Sequence, residues 1–235
     1  MTQQMPTIKR IFFDSGKVLV YPKSGEWMFP NKYKELCKNN NLPEKTASLE
    51  RNFEVAMQNL AQHKFVLNEL EEYSVFKKFY ETVFKNEPYK NNETFIDSVT
   101  KAKVSDYDKY RFFDDVKPSI QRLKNKYNLG LITDAWPSII TLYKKAEMFN
   151  FFDPFVVSSI YGTTKEEKKL FKIALDKIPE SPNECLFVDD SLVNCRIAKE
   201  FNMHAIALIR NNCSKTNLEM DFVTTLTDLE KYLQN

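Results

Sequence analysis

Two apolar segments of this chain, far apart in the sequence, each end on a carboxylate. Residues 8–13 read Ile-Lys-Arg-Ile-Phe-Phe and are followed by Asp14; residues 185–188 read Cys-Leu-Phe-Val and are followed by Asp189 and Asp190. Short apolar runs of this kind are typical of buried strands. In an open parallel sheet, ligands bind outside the carboxyl ends of the strands. The sequence therefore predicts three carboxylates at one edge of a sheet, which is a candidate Mg²⁺ site.

From about residue 107 onward, strand patterns alternate with helix patterns. The predicted strands that follow the first are residues 129–133, 155–159, 185–188, 204–209 and 222–224. Helical patterns separate them, including residues 136–148, and a closing helix covers residues 226–233. Such alternation implies right-handed crossovers and a parallel sheet with helices on both faces. The predicted fold class is α/β, with a Rossmann-like doubly wound parallel sheet.

The segment between the first strand and this alternating region has a helical pattern. The residues that recur on one helix face are Phe76, Phe79, Tyr80, Val83 and Phe84. We predict an all-helical domain over residues 23–106, inserted into a discontinuous core of residues 1–22 and 107–235. Because the insertion follows the carboxyl end of a strand, we expect it to lie above the catalytic edge, where a lid belongs.

The composition argues against several classes of protein. The formal net charge is +2, and the charged residues are spread along the chain, so no nucleic-acid-binding patch is visible. No apolar run reaches the roughly 20 residues that span a bilayer, and the first residues lack a signal peptide. The cysteines, which form no C-x-x-C pair, are Cys37, Cys185, Cys195 and Cys213. We expect reduced thiols and a cytoplasmic protein without zinc.

Two further residues follow strands of the predicted core. Thr133 could donate its hydroxyl to a phosphoryl oxygen, although a turn or a helix N-cap would explain it equally well. Lys165, a few residues after the predicted strand 155–159, could neutralise charge on a phosphoryl group, or it could be a solvated lysine. The side chain of Asp134 would repel phosphate, so we expect it to form a cap and only its backbone N–H to face an anion.

The three acids are assigned different tasks. Asp14 is either a nucleophile that attacks phosphorus or an ordinary turn residue. Asp189 and Asp190 are neighbours in an extended strand, so their side chains cannot point the same way. We predict that Asp190 is a direct metal ligand, and that Asp189 acts through water or holds Lys165.

These segments, in this order, resemble the haloacid-dehalogenase-like (HAD) hydrolase superfamily over essentially the whole chain. Residues 12–19 resemble its nucleophile loop, residues 131–133 its second motif, Lys165 its lysine, and residues 185–194 its metal-binding motif. The resemblance implies that the insertion is a helical cap over a small-molecule site. It implies catalytic roles for Asp14, Thr133 and Lys165. The implied metal ligands are Asp14, the Gly16 carbonyl, Asp189 and Asp190. The implied phosphate-binding residues are Ser15, Lys17, Thr133, Asp134 and Lys165.

The chain also departs from the pattern of that superfamily. Its phosphatases usually carry a second Asp two residues after the nucleophile, as general acid and base, and here that residue is Gly16. A missing general acid or base costs about 10²–10⁴-fold in rate. Lys17 stands where Gly or Asn is usual, and its charge could help to bind phosphate or could block it.

The leading hypothesis is a Mg²⁺-dependent phosphatase that acts on a small phosphorylated metabolite, as a monomer or homodimer. A metal-free hydrolase of carbon–halogen bonds is an alternative, although such a site would gain nothing from the second and third acids. A binding or regulatory protein with little turnover is another, supported by Gly16 and Lys17. We expect neither nucleic acid nor a membrane as a partner.

Overall fold

The computed structural model describes residues 7–210 and 220–234, so the prediction for Cys213 lies outside the described residues. The chain divides into two compact units. The first comprises Met1–Tyr21, Phe112–Ala135 and Tyr143–Asn235, and the second comprises Pro22–Arg111 and Trp136–Leu142. The second unit therefore extends slightly beyond the predicted insertion of residues 23–106. It also includes a segment that the sequence analysis assigned to the core.

Eight strands form two sheets within the described residues. They are β1 (Arg10–Phe13), β2 (Val20–Pro22), β3 (Tyr110–Phe112), β4 (Asn128–Thr133), β5 (Phe155–Val157), β6 (Cys185–Asp189), β7 (His204–Leu208) and β8 (Phe222–Val223). Six of them form one sheet in the order β5-β4-β1-β6-β7-β8, and β2 pairs with β3 in a separate two-stranded sheet. Every neighbouring pair in the large sheet is parallel. The predicted α/β doubly wound fold is confirmed.

The helices of the described residues are α1 (Asn31–Asn39), α2 (Ala47–Ala61), α3 (Glu69–Val83), α4 (Glu93–Ser105), α5 (Val116–Lys124), α6 (Ser138–Lys145), α7 (Ser158–Tyr161), α8 (Lys169–Leu175), α9 (Leu192–Glu200) and α10 (Leu226–Tyr232). Helices α1 to α4 belong to the second unit. None of the helices in the described ranges is long and apolar enough to cross a membrane.

The register of the large sheet aligns the strand ends that carry acids. Phe13, the last residue of β1, lies opposite Leu131 of β4 and Val188 of β6. Close packing in this centre requires a glycine at position 130, because a Cβ atom there would overlap the ring of Phe12. Because Phe13 is paired with Val188, the carboxyl ends of β1 and β6 are level with each other.

Two predicted elements have different bounds. The predicted strand over residues 155–159 ends at Val157, and the next residues form the one-turn helix α7. Ser158 accepts a hydrogen bond from the backbone N–H of Ala135, and Gly162, with φ of 63°, ends that helix. The predicted helix over residues 136–148 is shorter, Ser138–Lys145. The left-handed conformation of Glu147, with φ of 59°, stops its continuation.

The second unit has an aromatic core of its own. Phe76, Phe79 and Tyr80 of α3 are buried, as their spacing predicts. The indole of Trp136 packs edge-on against the ring of Phe76, with centroids 5.1 Å apart. This contact explains why the segment that begins at Trp136 belongs to the second unit. Thr46, the N-cap of α2, accepts a hydrogen bond from the backbone of the first turn.

Ionisable side chains are also buried in the second unit. Glu72 is fully buried and accepts hydrogen bonds of 2.7 Å from the backbone N–H and the hydroxyl of Ser138. Lys103 donates to the carbonyl of Trp27 at 3.1 Å, and Lys109 donates to the carbonyl of Lys103. Burial lowers the pKa of each of these lysines to about 8, although the charge of Glu72 raises it. The helical pattern of the sequence did not predict this cluster.

We expect the cluster to make unfolding of the second unit depend on pH. The pKa of Lys103 falls from 10.5 to about 8 on folding, so between these values the folded protein binds fewer protons than the unfolded chain. Its stability therefore rises with pH in that range. From pH 8 to about pH 10, the free energy of unfolding should rise by about 2 kcal/mol more in the wild type than in Lys103→Met.

Urea unfolding followed by tryptophan fluorescence measures this difference. Both tryptophans of the chain, Trp27 and Trp136, belong to the second unit, so the signal reports on it. The same pH dependence in both proteins would contradict a role for the Lys103 ammonium.

Candidate active site

Three carboxylates meet at the carboxyl ends of β1 and β6. Asp14 directly follows β1, Asp189 is the last residue of β6, and Asp190 comes next. One oxygen atom of each lies within 4.8 Å of those of the other two. Asp14 and Asp189 are buried, and the backbone N–H of Asp14 donates to the Val188 carbonyl at 2.9 Å. Strand register thus positions the three acids that the sequence analysis selected.

Lys165 lies between two of these acids. Its Nζ atom is 2.7 Å from Oδ1 of Asp14 and 2.7 Å from Oδ2 of Asp189, and its side chain is only 3% exposed. The backbone N–H of Lys165 donates to Oδ1 of Asp134 at 3.1 Å, which holds the loop before α8. The two 2.7 Å contacts of the ammonium are charge-assisted hydrogen bonds, which are among the stronger ones in proteins. Lys165 is therefore bound in the site rather than solvated.

Burial and charge set the protonation of this pair. The pKa of Asp14 is raised to about 7, because burial and the charge of Asp189 raise it by more than the positive charge of Lys165 lowers it. Burial acts to lower the pKa of Lys165, but the charges of Asp14 and Asp189 outweigh this and hold it above its usual value. Lys165 is a permanent cation here, and the acids around it are in excess.

The two neighbouring acids have different partners. Oδ2 of Asp189 accepts from Lys165 and, at 3.0 Å, from the side-chain amide of Asn194, while Oδ1 accepts from the backbone N–H of Ser191 at 2.8 Å. Both oxygens of Asp189 thus serve to position Lys165 and the start of α9. We assigned no role to Asn194 from the sequence. Its place in the first turn of the helix after the acid pair was the available signal.

Asp190 faces a different cation. Oδ2 of Asp190 lies 3.5 Å from Nζ of Lys17, and the two side chains are 28% and 66% exposed. Burial and the charge of Asp189 raise the pKa of Asp190, and Lys17 opposes this. Asp190 is therefore the most accessible of the three carboxylates.

The other predicted residues are placed as follows. Thr133 is buried at the carboxyl end of β4, the strand beside β1. Asp134 is exposed, and its carboxylate accepts a hydrogen bond from the backbone N–H of Lys165.

The hydroxyl of Ser15, in the loop after β1, is buried and forms a hydrogen bond of 2.8 Å with the hydroxyl of Tyr143. Gly16 lies in the loop after Asp14 and forms an isolated bridge with Val20. The hydroxyl of Ser15 is thus held by Tyr143, and its role in phosphate binding stays a prediction.

We expect Lys165 to be required for the stability of this site. In Lys165→Met, the carboxylates of Asp14 and Asp189 would remain buried without their shared cation, and the free energy of unfolding should fall by about 3 kcal/mol. Lys168→Met is the control, because Lys168 is 52% exposed and pairs with Glu200 on the surface. Its loss should be about 1 kcal/mol or less. If denaturant unfolding showed a similar loss of unfolding free energy in both variants, the Lys165 charge would not be what stabilises the buried acids.

Solved structures share the fold of this chain at low sequence identity. A HAD phosphatase from Thermococcus onnurineus is 20% identical, with a TM-score of 0.63 over 96% of this chain and 98% of that one. The magnesium-bound YfnB of Bacillus subtilis is 16% identical, with a TM-score of 0.67 over 97% and 100%. L-2-haloacid dehalogenase from Xanthobacter autotrophicus is 14% identical, with a TM-score of 0.69 over 97% and 99%. These similarities concern the fold and do not separate the two activities.

Comparisons of sequence give the family. No curated protein matches the chain. The model of the haloacid dehalogenase-like hydrolase family matches residues 8–202, which include Asp14, Thr133, Lys165 and the acid pair. The chain belongs to the haloacid dehalogenase-like hydrolases.

Proposed function

We propose that this hydrolase is a Mg²⁺-dependent phosphatase that acts on a small phosphorylated metabolite through an aspartyl-phosphate. The observation that supports the proposal is the grouping of one carboxylate oxygen each from Asp14, Asp189 and Asp190 within 4.8 Å of one another, where the first two acids share the Lys165 ammonium. Three carboxylates against one buried cation leave an excess of negative charge at a strand edge. A hard divalent cation with oxygen ligands would balance it.

The residues present fit Mg²⁺. Asp14 and Asp190 would hold the ion, with the backbone carbonyl of Gly16 as a third ligand. Asp189 would contribute by fixing Lys165, because its oxygens already accept three hydrogen bonds. When bound, Mg²⁺ would neutralise charge on the phosphoryl group during transfer.

In the first step, a carboxylate oxygen of Asp14 would form a bond to phosphorus as the bond from phosphorus to the leaving oxygen breaks. The Lys165 ammonium and the Thr133 hydroxyl would donate to the phosphoryl oxygens. In the second step, water would attack phosphorus as the bond from phosphorus to the Asp14 oxygen breaks, and the proton that water loses would pass to solvent. This step would release phosphate and restore the Asp14 carboxylate. Gly16 has no side chain to carry a proton, so the leaving oxygen would take its proton from solvent or from the substrate itself.

Hydrolysis of a carbon–halogen bond is the second candidate. Asp14 would then attack carbon, and no metal would be needed. Two observations favour it: Gly16 replaces the acid usual in phosphatases, and the hydrogen bonds of Asp189 account for that residue without a metal. Asp190 argues for the phosphatase, because a metal-free reaction gives that accessible carboxylate no task.

Turnover of p-nitrophenyl phosphate tests the proposal. We expect phosphate release with Mg²⁺ and none in EDTA, and Asp14→Asn should lower kcat by about 10³-fold or more, since the nucleophile is lost. Asp176→Asn, the same change at the exposed C-cap residue that follows α8, should leave kcat unaltered.

A dehalogenase and a binding protein would each give a different result in assays of chloride and phosphate release. Chloride release from 2-chloropropionate in EDTA, lost in Asp14→Asn, would replace the phosphatase with a dehalogenase. Failure to turn over either compound, or any of a panel of sugar phosphates and nucleotides, would indicate a binding protein. A positive result in the panel would identify the substrate class.

A further inference from the structure

An ion pair beside the nucleophile has no part in the reaction proposed above. Nζ of Lys17 lies 3.5 Å from Oδ2 of Asp190, the acid assigned to the metal. The three carboxylates are therefore shared by two ammonium groups: Lys165 contacts Asp14 and Asp189, and Lys17 contacts Asp190.

The loop after β1 determines the position of Lys17. Lys17 adopts φ of 58°, a left-handed conformation that is uncommon for residues other than glycine. Its backbone N–H donates to the carbonyl of Val20 at 2.7 Å, and the N–H groups of Leu19 and Val20 donate to the carbonyl of Ser15 at 2.8 and 2.9 Å. These bonds close a tight turn with Lys17 on it. The turn thus places the backbone of Lys17 next to the site, within reach of Asp190 for its side chain.

We propose that Lys17 is a built-in competitor of the metal: its ammonium neutralises Asp190 in the metal-free protein and must leave before Asp190 can bind Mg²⁺. The inference rests on the metal site of the proposed function. The site would therefore need a higher Mg²⁺ concentration to be half occupied than it would with an uncharged residue at position 17.

The charges and the exposure of the pair set the size of the effect. A divalent ion at Asp190 would repel the ammonium with twice the strength of a monovalent ion at the same distance. Because the Lys17 side chain is 66% exposed, it can turn into solvent, and water would screen most of the repulsion. We therefore expect removal of the charge to tighten Mg²⁺ binding by about tenfold, equivalent to about 1.4 kcal/mol.

Calorimetric titration of the full chain with MgCl₂ tests the proposal without any substrate. Lys17→Met should bind Mg²⁺ about tenfold more tightly than the wild type, and Lys17→Arg, which keeps the charge, should resemble the wild type. Lys9→Met is the matched control: Lys9 is 57% exposed and pairs with Glu184, but it precedes β1 and so lies at the opposite end of that strand. It should bind Mg²⁺ as the wild type does.

Thermal unfolding provides a second measurement on the same proteins. In EDTA, Lys17→Met should melt at a lower temperature than the wild type, because its acids repel each other more. Added Mg²⁺ should raise its Tm at lower concentrations than it raises that of the wild type. Equal or weaker Mg²⁺ binding by Lys17→Met would overturn the proposal.

The outcomes separate this proposal from the phosphatase. If Mg²⁺ binds and Lys17→Met tightens it, but no phosphate ester is hydrolysed, the competition stands and the phosphatase fails. If neither protein binds Mg²⁺, the metal site fails and the competition is overturned with it.

Discussion

The candidate site depends on one interaction, the Lys165 ammonium held 2.7 Å from both Asp14 and Asp189. Without a cation, a carboxylate buried at the end of either strand would be strongly destabilising or would take up a proton, so the charged form of each acid depends on Lys165. The lysine in turn retains its charge in a buried position only because two acids surround it. Asn194 and the Ser191 N–H complete this arrangement by fixing Asp189. The carboxylate of Asp14 is thereby held in place by the protein itself.

Much of the first unit could be predicted from the sequence, since its strands are short apolar runs and their acids lie at strand ends. Asp14 and Asp189 follow from that pattern, because register alone brings the ends of β1 and β6 together. The task of Asp189 could be predicted only as alternatives, a contact with the metal through water or a contact with Lys165. It depends on which side of the strand each side chain leaves, and on the Asn194 amide, which one turn of α9 brings back to the strand.

The second unit was less predictable for a physical reason. Apolar periodicity identifies the buried face of α3, but it treats every charged residue as solvated. Glu72 and Lys103 are nevertheless buried, because the Ser138 and Trp27 backbones provide hydrogen bonds that lie far away in the sequence. The same long-range packing assigns Trp136 to the aromatic core of this unit. Contacts of this kind depend on tertiary structure, so no local pattern contains them.

The loop after β1 joins the two departures of this chain from the usual phosphatase pattern. Gly16 leaves the loop after Asp14 without a side chain that could carry a proton, and the next residue, Lys17, adds a positive charge that reaches Asp190. Here the loop offers no acid of its own, and the ammonium pairs with Asp190 across the site. The absence of an acid at position 16 and the contact of Lys17 with Asp190 are therefore parts of one local difference in charge, and the two positions should be altered together when their effects are measured.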